Sequence, residues 1–235
     1  MPAFDYRRRM GPAPSGASDP IGDALRADVV AYYTLGSTAD SGPNGYTLTN
    51  NNATAFGAGK VGNCATFNDA GNTSLSRAGA DLDITTTDFA FSFWIKTTAD
   101  DDWIFTKGVN AASRGYWCYT GANLTFTLLS AGASFSFTTA GATLNDDAWH
   151  HVVVNADRDA LIDIYVDGVN RKSASVAVAS GNLTTATDFY LAQLHGDTTA
   201  ILDGSLDEFG FWRRLLTADE IAHLYAAGAG VSLYP

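Results

Sequence analysis

The stretch GSLDEFGFWRRLLTADEIAHLYAAG, residues 204–228, decides how the fold is interpreted. It contains both glutamates of the chain, Glu208 and Glu220. Thr217 stands three residues before Glu220, and this Thr-x-x-Glu spacing is the capping box with which many helices begin. The spacing therefore predicts a helix from this point and gives Glu220 a capping role rather than a catalytic one.

The residues after the cap describe a short amphipathic helix. Ile221, Leu224 and Tyr225 recur at i, i+3 and i+4, which places them on one face. Gly228 is positioned to end the helix in a left-handed conformation. A helix of about ten residues is marginal alone, so we expect it to pack on something, covering an open end of a larger body.

That larger body is predicted to consist of β-strands. The segment FAFSFWIKT, residues 89–97, alternates strictly, and Trp94 on its second face indicates that both faces are covered. The segment 149–173 has the pattern of two hairpins, the second turning at the Asp167-Gly168 pair. Short strands separated by Gly, Asn and Asp predict an all-β, two-sheet antiparallel sandwich or jelly roll with one short C-terminal helix.

Composition excludes several classes of function. The 235 residues carry a net charge of −11, which disfavours binding to phosphate backbones of nucleic acids. No run of 18 apolar residues is present, so no membrane-spanning helix is expected. Cys64 and Cys118 lie in apolar, strand-like stretches, which favours buried free thiols over a single disulfide bridge.

Residues 1–26 differ from the rest of the chain, because they hold four of its six prolines and show no periodicity. One interpretation is a disordered leader. The other is an extended docking arm that binds an acidic or aromatic partner through a small cluster of side chains. That cluster consists of Phe4, Tyr6, Arg7, Arg8 and Arg9. We expect residues 27–230 to form the sandwich domain and residues 231–235 a C-terminal tail.

Several phrases of the chain, in order, resemble the laminin-G-like jelly roll of the concanavalin A-like lectin/glucanase superfamily. They are VVAYYTL, DSGPNG, GNCATFN, DFAFSFWIKT, WHHVVVNADRDALIDIYVDGV and LDGSLDEFGFWRRLLTADEIAHLYAAG. The last two phrases are the specific ones. The resemblance implies two stacked antiparallel sheets of six or seven strands each, with the final helix laid against them.

The resemblance also raises the question of glycosidase activity. Glycosidases that share this fold carry a Glu-x-Asp-x-Glu pattern on one strand, and a retaining mechanism needs two carboxyl groups roughly 5 Å apart. Here the two glutamates lie 12 positions apart, and Glu220 is assigned to the cap. We therefore expect no enzymatic activity, with a glycoside hydrolase as the least favoured alternative.

The resemblance implies a structural calcium ion as the one candidate cofactor. Asp40, Asn44 and Asp207 stand at the matching positions, and their oxygen atoms suit a hard cation. The alternative is that Asp40 and Asn44 form a turn and that Asp207 accepts hydrogen bonds at the end of a strand.

Sugar binding requires aromatic faces beside polar groups. Trp94 and Trp149 fall in phrases that we expect to belong to the core. Four other aromatic residues are the candidate glycan contacts, although packing in the core or at an interface is their alternative role. They are Trp103, Tyr116, Trp117 and Tyr119.

Two functional hypotheses remain from the sequence. The first is a structural or interaction module on a virion surface, such as a head decoration, fibre or tail adhesion protein. It would be made in the host cytoplasm, since the first twenty residues show no apolar signal, and tethered by its arm to other structural proteins. The second is a lectin-like module that binds a surface glycan, with an extracellular location as the alternative. Exposed sheet edges would also favour self-association.

Overall fold

Two antiparallel β-sheets stacked face to face form the body of the protein in a computed structural model, which describes residues 19–108, 114–121, 123–130, 133–176, 179 and 181–235. The predicted two-sheet sandwich with a short C-terminal helix is confirmed. The strands are β1 (Val29–Tyr33), β2 (Thr49–Asn51), β3 (Ala55–Ala58), β4 (Asn63–Phe67), β5 (Ser74–Arg77), β6 (Phe89–Thr97), β7 (Trp103–Lys107), β8 (Gly115–Tyr119), β9 (Thr125–Ser130), β10 (Ala133–Thr138), β11 (His150–Ala156), β12 (Leu161–Val166), β13 (Val169–Ser175), β14 (Phe189–Leu191) and β15 (Gly204–Trp212). The helices are α1 (Pro20–Asp28) and α2 (Ala218–Tyr225), followed by a 3₁₀ turn at Ala226–Gly228.

The order of the strands defines the two layers. Sheet A runs β13-β12-β11-β6-β15-β4-β3, and β1 also pairs with β15, which gives eight strands. Sheet B runs β10-β9-β8-β7-β14-β5-β2 and has seven. The predicted hairpin at Asp167-Gly168 joins β12 to β13, and both turn residues have positive φ, 52° and 73°, as a two-residue hairpin requires.

An aromatic cluster fills the space between the sheets. The ring of Phe91 lies 4.8 Å from the rings of both Phe105 and Phe211, and 5.2 Å from that of Tyr116, measured between centroids. On the opposite face of the same strand, Trp94 is also buried, which confirms that β6 is covered on both sides.

Helix α2 covers the outer face of sheet A rather than an open end of the sandwich. Ile221 and Leu224 pack there with Trp212 in a second hydrophobic cluster. The predicted capping box is present, with reciprocal bonds between Thr217 and Glu220. The residue that ends α2 in a left-handed conformation is Ala226, with φ of 46°, and not Gly228, which instead ends the 3₁₀ turn.

The folded domain extends further at both ends than the sequence indicated. Helix α1 begins at Pro20, so the boundary predicted after residue 26 was wrong. Leu25 of this helix is fully buried, and its carbonyl oxygen accepts a hydrogen bond of 3.0 Å from the indole nitrogen of Trp212. Residues 231–235 are not a free tail, because Leu233 is buried and the ring of Tyr234 packs 5.5 Å from that of Tyr32.

Strand β15 contains a β-bulge at the Asp-Glu pair of the opening stretch. Register with β6 shifts between Asp207 and Gly210, and Glu208 has a positive φ of 51°. The carboxylate of Glu208 accepts a hydrogen bond of 2.5 Å from the hydroxyl of Tyr32. The bulge therefore ties the centre of sheet A to β1.

Cys64 and Cys118 are both free and buried, as the sequence favoured. Neither helix in the described part of the chain has the length and apolar character needed to cross a membrane.

We expect Leu25→Ala to lower the free energy of unfolding by about 2–5 kcal/mol, because it leaves a cavity between α1 and sheet A. Ala24→Ser, on the exposed side of the same helix, should cost less than about 0.7 kcal/mol. Urea denaturation followed by tryptophan fluorescence measures both. Equal, small effects would show that α1 does not belong to the cooperative domain.

Candidate functional site

The outer face of sheet B is the surface on which polar and aromatic side chains converge. Successive residues of a strand point to opposite faces. Tyr116 and Phe189 belong to the core between the sheets, so their neighbours Trp117 and Tyr190 project outward.

The register of the strands aligns one residue from each of the seven strands of sheet B in a single line, which we call the cross-strand row. At about 4.8 Å per strand, the row is about 29 Å long. It contains five hydroxyl-bearing small residues, two aromatic residues and no charged residue. In order from β10 to β2, the row is Ser136, Thr127, Trp117, Thr106, Tyr190, Ser76 and Thr49.

The centre of the row is a shallow floor between two rings. Thr106 lies between Trp117 and Tyr190 and is fully buried, and its hydroxyl donates to the carbonyl oxygen of Gln193 at 2.7 Å. Trp117 is 9% exposed, whereas Tyr190 is half-buried. Toward β10, the hydroxyls of Thr127 and Ser136 lie 2.9 Å apart. The row therefore combines rings with hydroxyl groups held in fixed positions, and its most accessible members are Tyr190, Ser136 and Thr49.

Further aromatic residues border the row. Trp103 and Tyr119 form an edge-to-face pair with centroids 5.5 Å apart, and both are half-buried. His195 packs 5.5 Å from Tyr190. Together these rings form a partly exposed aromatic border along one side of the row, next to the loop that follows β14.

That loop is fixed by its own hydrogen bonds. The side-chain amide of Gln193 donates to the carbonyl oxygen of Asp197 at 2.8 Å and accepts from the hydroxyl of Ser74 at 2.7 Å. Bonds from Thr199 lower the pKa of Asp197, so this carboxylate stays ionised at the edge of the surface. The indole N–H of Trp103 has no hydrogen-bond partner with good geometry among the described residues, but it lies close enough to Asp197 to help lower the pKa of that carboxylate.

Three of the four predicted aromatic residues lie on this face. Trp103, Trp117 and Tyr119 project outward together, as described above. Tyr116 does not join them, because its ring lies in the core and its hydroxyl donates to the carbonyl oxygen of Leu82 at 2.7 Å. Tyr190 was not predicted, and the one signal for it in the sequence is its place between two apolar residues in the three-residue strand β14.

The three residues predicted to bind calcium have structural hydrogen bonds. The carboxylate of Asp40 accepts from the backbone nitrogens of Tyr32, Gly42 and Tyr46. The side-chain nitrogen of Asn44 donates to the carbonyl oxygen of Val30 at 2.8 Å.

One oxygen of Asp207 accepts from the backbone nitrogens of Lys60 and Val61, both at 2.8 Å. In the part of the chain that the structure describes, no group of three or more His, Cys, Asp or Glu side chains is placed to hold a metal ion.

The residues predicted for partner docking, Phe4, Tyr6 and Arg7 to Arg9, lie outside the described residues.

Asp207 and Glu208 form the one close pair of carboxyl groups in β15. Burial raises the pKa of Asp207 to about 6 and that of Glu208 to about 8, which favours protonated Glu208 at neutral pH. A cavity of about 420 Å³ lies beside Glu208, between Ser232 and Gly62. Glu208 is only 4% exposed and Asp207 is fully buried, so the two do not face each other across an accessible cleft, as glycoside hydrolysis requires.

Glu220 is held in a structural network. Both of its carboxylate oxygens accept bonds from the guanidinium of Arg214, at 2.7 and 2.8 Å, and one also accepts from the backbone nitrogen of Thr217. The assignment of Glu220 to the helix cap is confirmed.

Comparison with solved structures shows the same sandwich in several binding domains. The binding domain of Paraclostridial Mosquitocidal Protein 1 superposes with a TM-score of 0.74 at 16% identity, covering 86% of this chain and 52% of that one. The botulinum neurotoxin serotype D ligand binding domain, in complex with N-acetylneuraminic acid, gives 0.65 at 14% identity, covering 88% and 52%. This chain thus spans about half the length of these toxin domains.

A third similar structure is matched over nearly its whole length. Domain 4 of AbnA, a GH43 extracellular arabinanase from Geobacillus stearothermophilus, in complex with arabinotriose, has a TM-score of 0.66 at 17% identity, covering 87% of this chain and 98% of that domain. At these identities the likenesses establish the fold alone. A search of curated protein sequences found no match.

A family model supplies the remaining evidence. The Laminin_G_3 model of the concanavalin A-like lectin/glucanases superfamily matches residues 68–222, which is well over half of the chain and includes most of both sheets and helix α2. The chain therefore belongs to the laminin-G-like family of the concanavalin A-like lectin/glucanase superfamily.

Proposed function

We propose that this protein is a non-catalytic carbohydrate-binding module that binds a neutral glycan along the outer face of sheet B. The observation that carries the proposal is the cross-strand row, in which Trp117 and Tyr190 are in register with Ser and Thr hydroxyls across all seven strands.

The row matches the two requirements of sugar recognition. The C–H face of a sugar packs on an aromatic ring, and its hydroxyls need donors and acceptors nearby. Trp117 and Tyr190 are two strands apart, a separation of about 9.6 Å, so each can contact a different ring of one extended oligosaccharide. Tyr119 and Trp103 widen the aromatic surface beside them.

Charge favours a neutral ligand over an acidic one. The similar structures include one domain in complex with arabinotriose and one in complex with N-acetylneuraminic acid, a neutral and an anionic sugar. The cross-strand row has no charged member, ionised Asp197 lies at its border, and the whole chain carries −11. These charges repel a carboxylate and leave neutral hydroxyl groups unaffected.

The carboxyl groups support a binding role rather than catalysis. Glu220 is paired with Arg214, and Asp207 and Glu208 are buried within β15. The similar structures named above are described as binding domains, or as a domain in complex with an oligosaccharide.

Placement on a virion surface, production in the host cytoplasm and tethering to other structural proteins by the N-terminal arm stay separate predictions. They concern where the module works, and sugar binding by sheet B does not depend on them.

We expect the chain to bind at least one neutral polysaccharide in affinity electrophoresis against a panel of arabinans, galactans, β-glucans and mannans. Tyr190→Ala and Tyr119→Ala should each weaken that binding about tenfold or more, because each removes a stacking surface. Tyr190→Phe should retain most of the affinity, since it keeps the ring.

The matched control is Tyr165→Ala, which removes a half-buried tyrosine from sheet A and should leave affinity unchanged. Circular dichroism confirms that each variant is folded. Equal loss in Tyr165→Ala and Tyr190→Ala, or no retention by any polysaccharide of the panel, would contradict a binding site on sheet B.

The protonation of Glu208 gives a pH test of its structural role. Its pKa is about 8 in the folded protein and ordinarily 4.5, so its contribution to stability is complete below about pH 4.5 and is lost as pH rises through about 8. Glu208→Gln cannot ionise. Between about pH 4.5 and about pH 8, its free energy of unfolding should therefore rise relative to wild type, by up to about 1.4 kcal/mol per pH unit, and above about pH 8 the difference should stay constant.

The pKa of His150 is raised to about 8 chiefly by a hydrogen bond to Asp167, so its contribution to stability is also lost as pH rises through about 8. Because His150 is present in both proteins, this contribution cancels in the comparison. Denaturant titrations at a series of pH values give the difference, and polysaccharide binding should be equal in both. Parallel curves for the two proteins would show that Glu208 is already ionised at neutral pH.

A further inference from the structure

A second groove lies on the opposite side of the sandwich, on the part of sheet A that the helices leave open. Helix α2 covers the outer face as far as Trp94, on which Tyr225 stacks with centroids 6.0 Å apart. Two residues further along β6, the next outward-facing position is Lys96, and there a cavity of about 310 Å³ opens.

The floor of this groove is polar and in register. Ser205 pairs with Thr66 on one side and with Lys96 on the other. All three project outward, because their neighbours Ala65, Leu206 and Ile95 lie in the core between the sheets. The hydroxyls of Ser205 and Thr66 lie 3.1 Å apart, so they present a connected pair of donor and acceptor groups.

One wall comes from the loop before β11 and carries an aromatic ring beside an ion pair. Trp149 lines the cavity and is half-buried, whereas the sequence placed it in the core. The ammonium of Lys96 lies 3.4 Å from the carboxylate of Asp147, and these side chains are 37% and 67% exposed.

The backbone of this wall is fixed in an uncommon conformation. Asp147 lies in the left-handed region with a φ of 63°, which Asp adopts more readily than most residues other than glycine, and its backbone nitrogen donates to the carbonyl oxygen of Thr97 at 3.1 Å. Thr97 also donates from its hydroxyl to the backbone carbonyl oxygen of Asp203, which fixes the backbone of a second acidic residue that lines the groove.

We infer that this groove is a second carbohydrate site, which binds a single neutral sugar ring through two adjacent hydroxyls. The carboxylate of Asp147 accepts from hydroxyls, the ammonium of Lys96 donates to them, and Trp149 provides a face for the C–H side of the ring. Asp147 and Asp203 outnumber Lys96, so the local charge is negative and disfavours an anionic sugar.

The two sites differ in position and form. The cross-strand row lies on the outer face of sheet B, and the groove on the outer face of sheet A, so the whole sandwich separates them. One extended segment of glycan cannot occupy both. With both sites the module is bivalent and can join two glycan chains. The groove itself does not depend on the function proposed above, whereas bivalency rests on it.

The test is an NMR titration of the full chain labelled with ¹⁵N-tryptophan, in which Trp149→Phe identifies the Trp149 indole signal among the five. The probes are the methyl glycosides of D-glucose, D-galactose, D-mannose and L-arabinose, which present both trans and cis pairs of adjacent hydroxyls. At least one of them should shift the Trp149 signal in a saturable way at millimolar concentrations. Methyl glucuronoside should shift it less than methyl glucoside.

Variants separate the two sites. Asp147→Asn and Lys96→Met should each weaken the response of Trp149 about tenfold, while Tyr190→Ala leaves it unchanged. If the wild-type chain binds no polysaccharide of the panel but its Trp149 signal responds saturably to a methyl glycoside, only the site on sheet B is contradicted. No saturable shift of Trp149 with any probe, or a shift indifferent to both Asp147→Asn and Lys96→Met, would overturn the second.

Discussion

The bulge at Asp207 and Glu208 is the constraint on which the architecture depends. Strand β15 pairs with β6 along nearly its whole length, but its other edge pairs with β4 before the bulge and with β1 after it. The extra residue also resets the alternation, so that Leu206 and Phe209 both face the core. A regular strand would have turned Phe209 outward and Trp212 inward. The left-handed backbone of Glu208 and its bond to Tyr32 therefore decide which side chains of β15 face the core after the bulge.

This alternation in β15 makes the two outer faces of the sandwich different. With Trp212 facing outward, sheet A presents an apolar patch, which α1, α2 and Leu233 cover. The indole of Trp212 is bonded to the backbone of Leu25, so its only polar atom is satisfied within the cluster. On sheet B the outward members of the cross-strand row are Ser, Thr, one Trp and one Tyr, and neither helix of the described chain packs on this face. Among the described residues, the helices thus cover the outer face of sheet A and not that of sheet B.

The sequence was sufficient for features set by short-range chemistry. The capping box, the Asp167-Gly168 hairpin and the two-sheet sandwich depend on local spacing and alternation. The sequence did not predict helix α1, because residues 1–26 are rich in proline and lack periodicity; Asp19 followed by Pro20 is nevertheless a helix start, with proline in the first helical turn. Tyr116 was placed wrongly for a different reason: all four residues of YWCY are aromatic or apolar, so the pattern does not show which face of the strand lies inside.

Long-range register decides the candidate sites, and this is why the sequence could identify some of their residues but not their arrangement. Thr106 and Trp117 lie on the consecutive strands β7 and β8, but Tyr190 is far from them in the chain and joins them only because β14 inserts between β7 and β5. Likewise, the groove around Lys96 exists because the helical cover stops at Trp94, one outward position earlier. Both surfaces carry hydroxyls and rings with little or negative charge, on a chain whose net charge is −11. A protein of this charge has no long-range attraction for acidic ligands, so its selectivity must come from short-range stacking and hydrogen bonds, which are the interactions that these two surfaces supply.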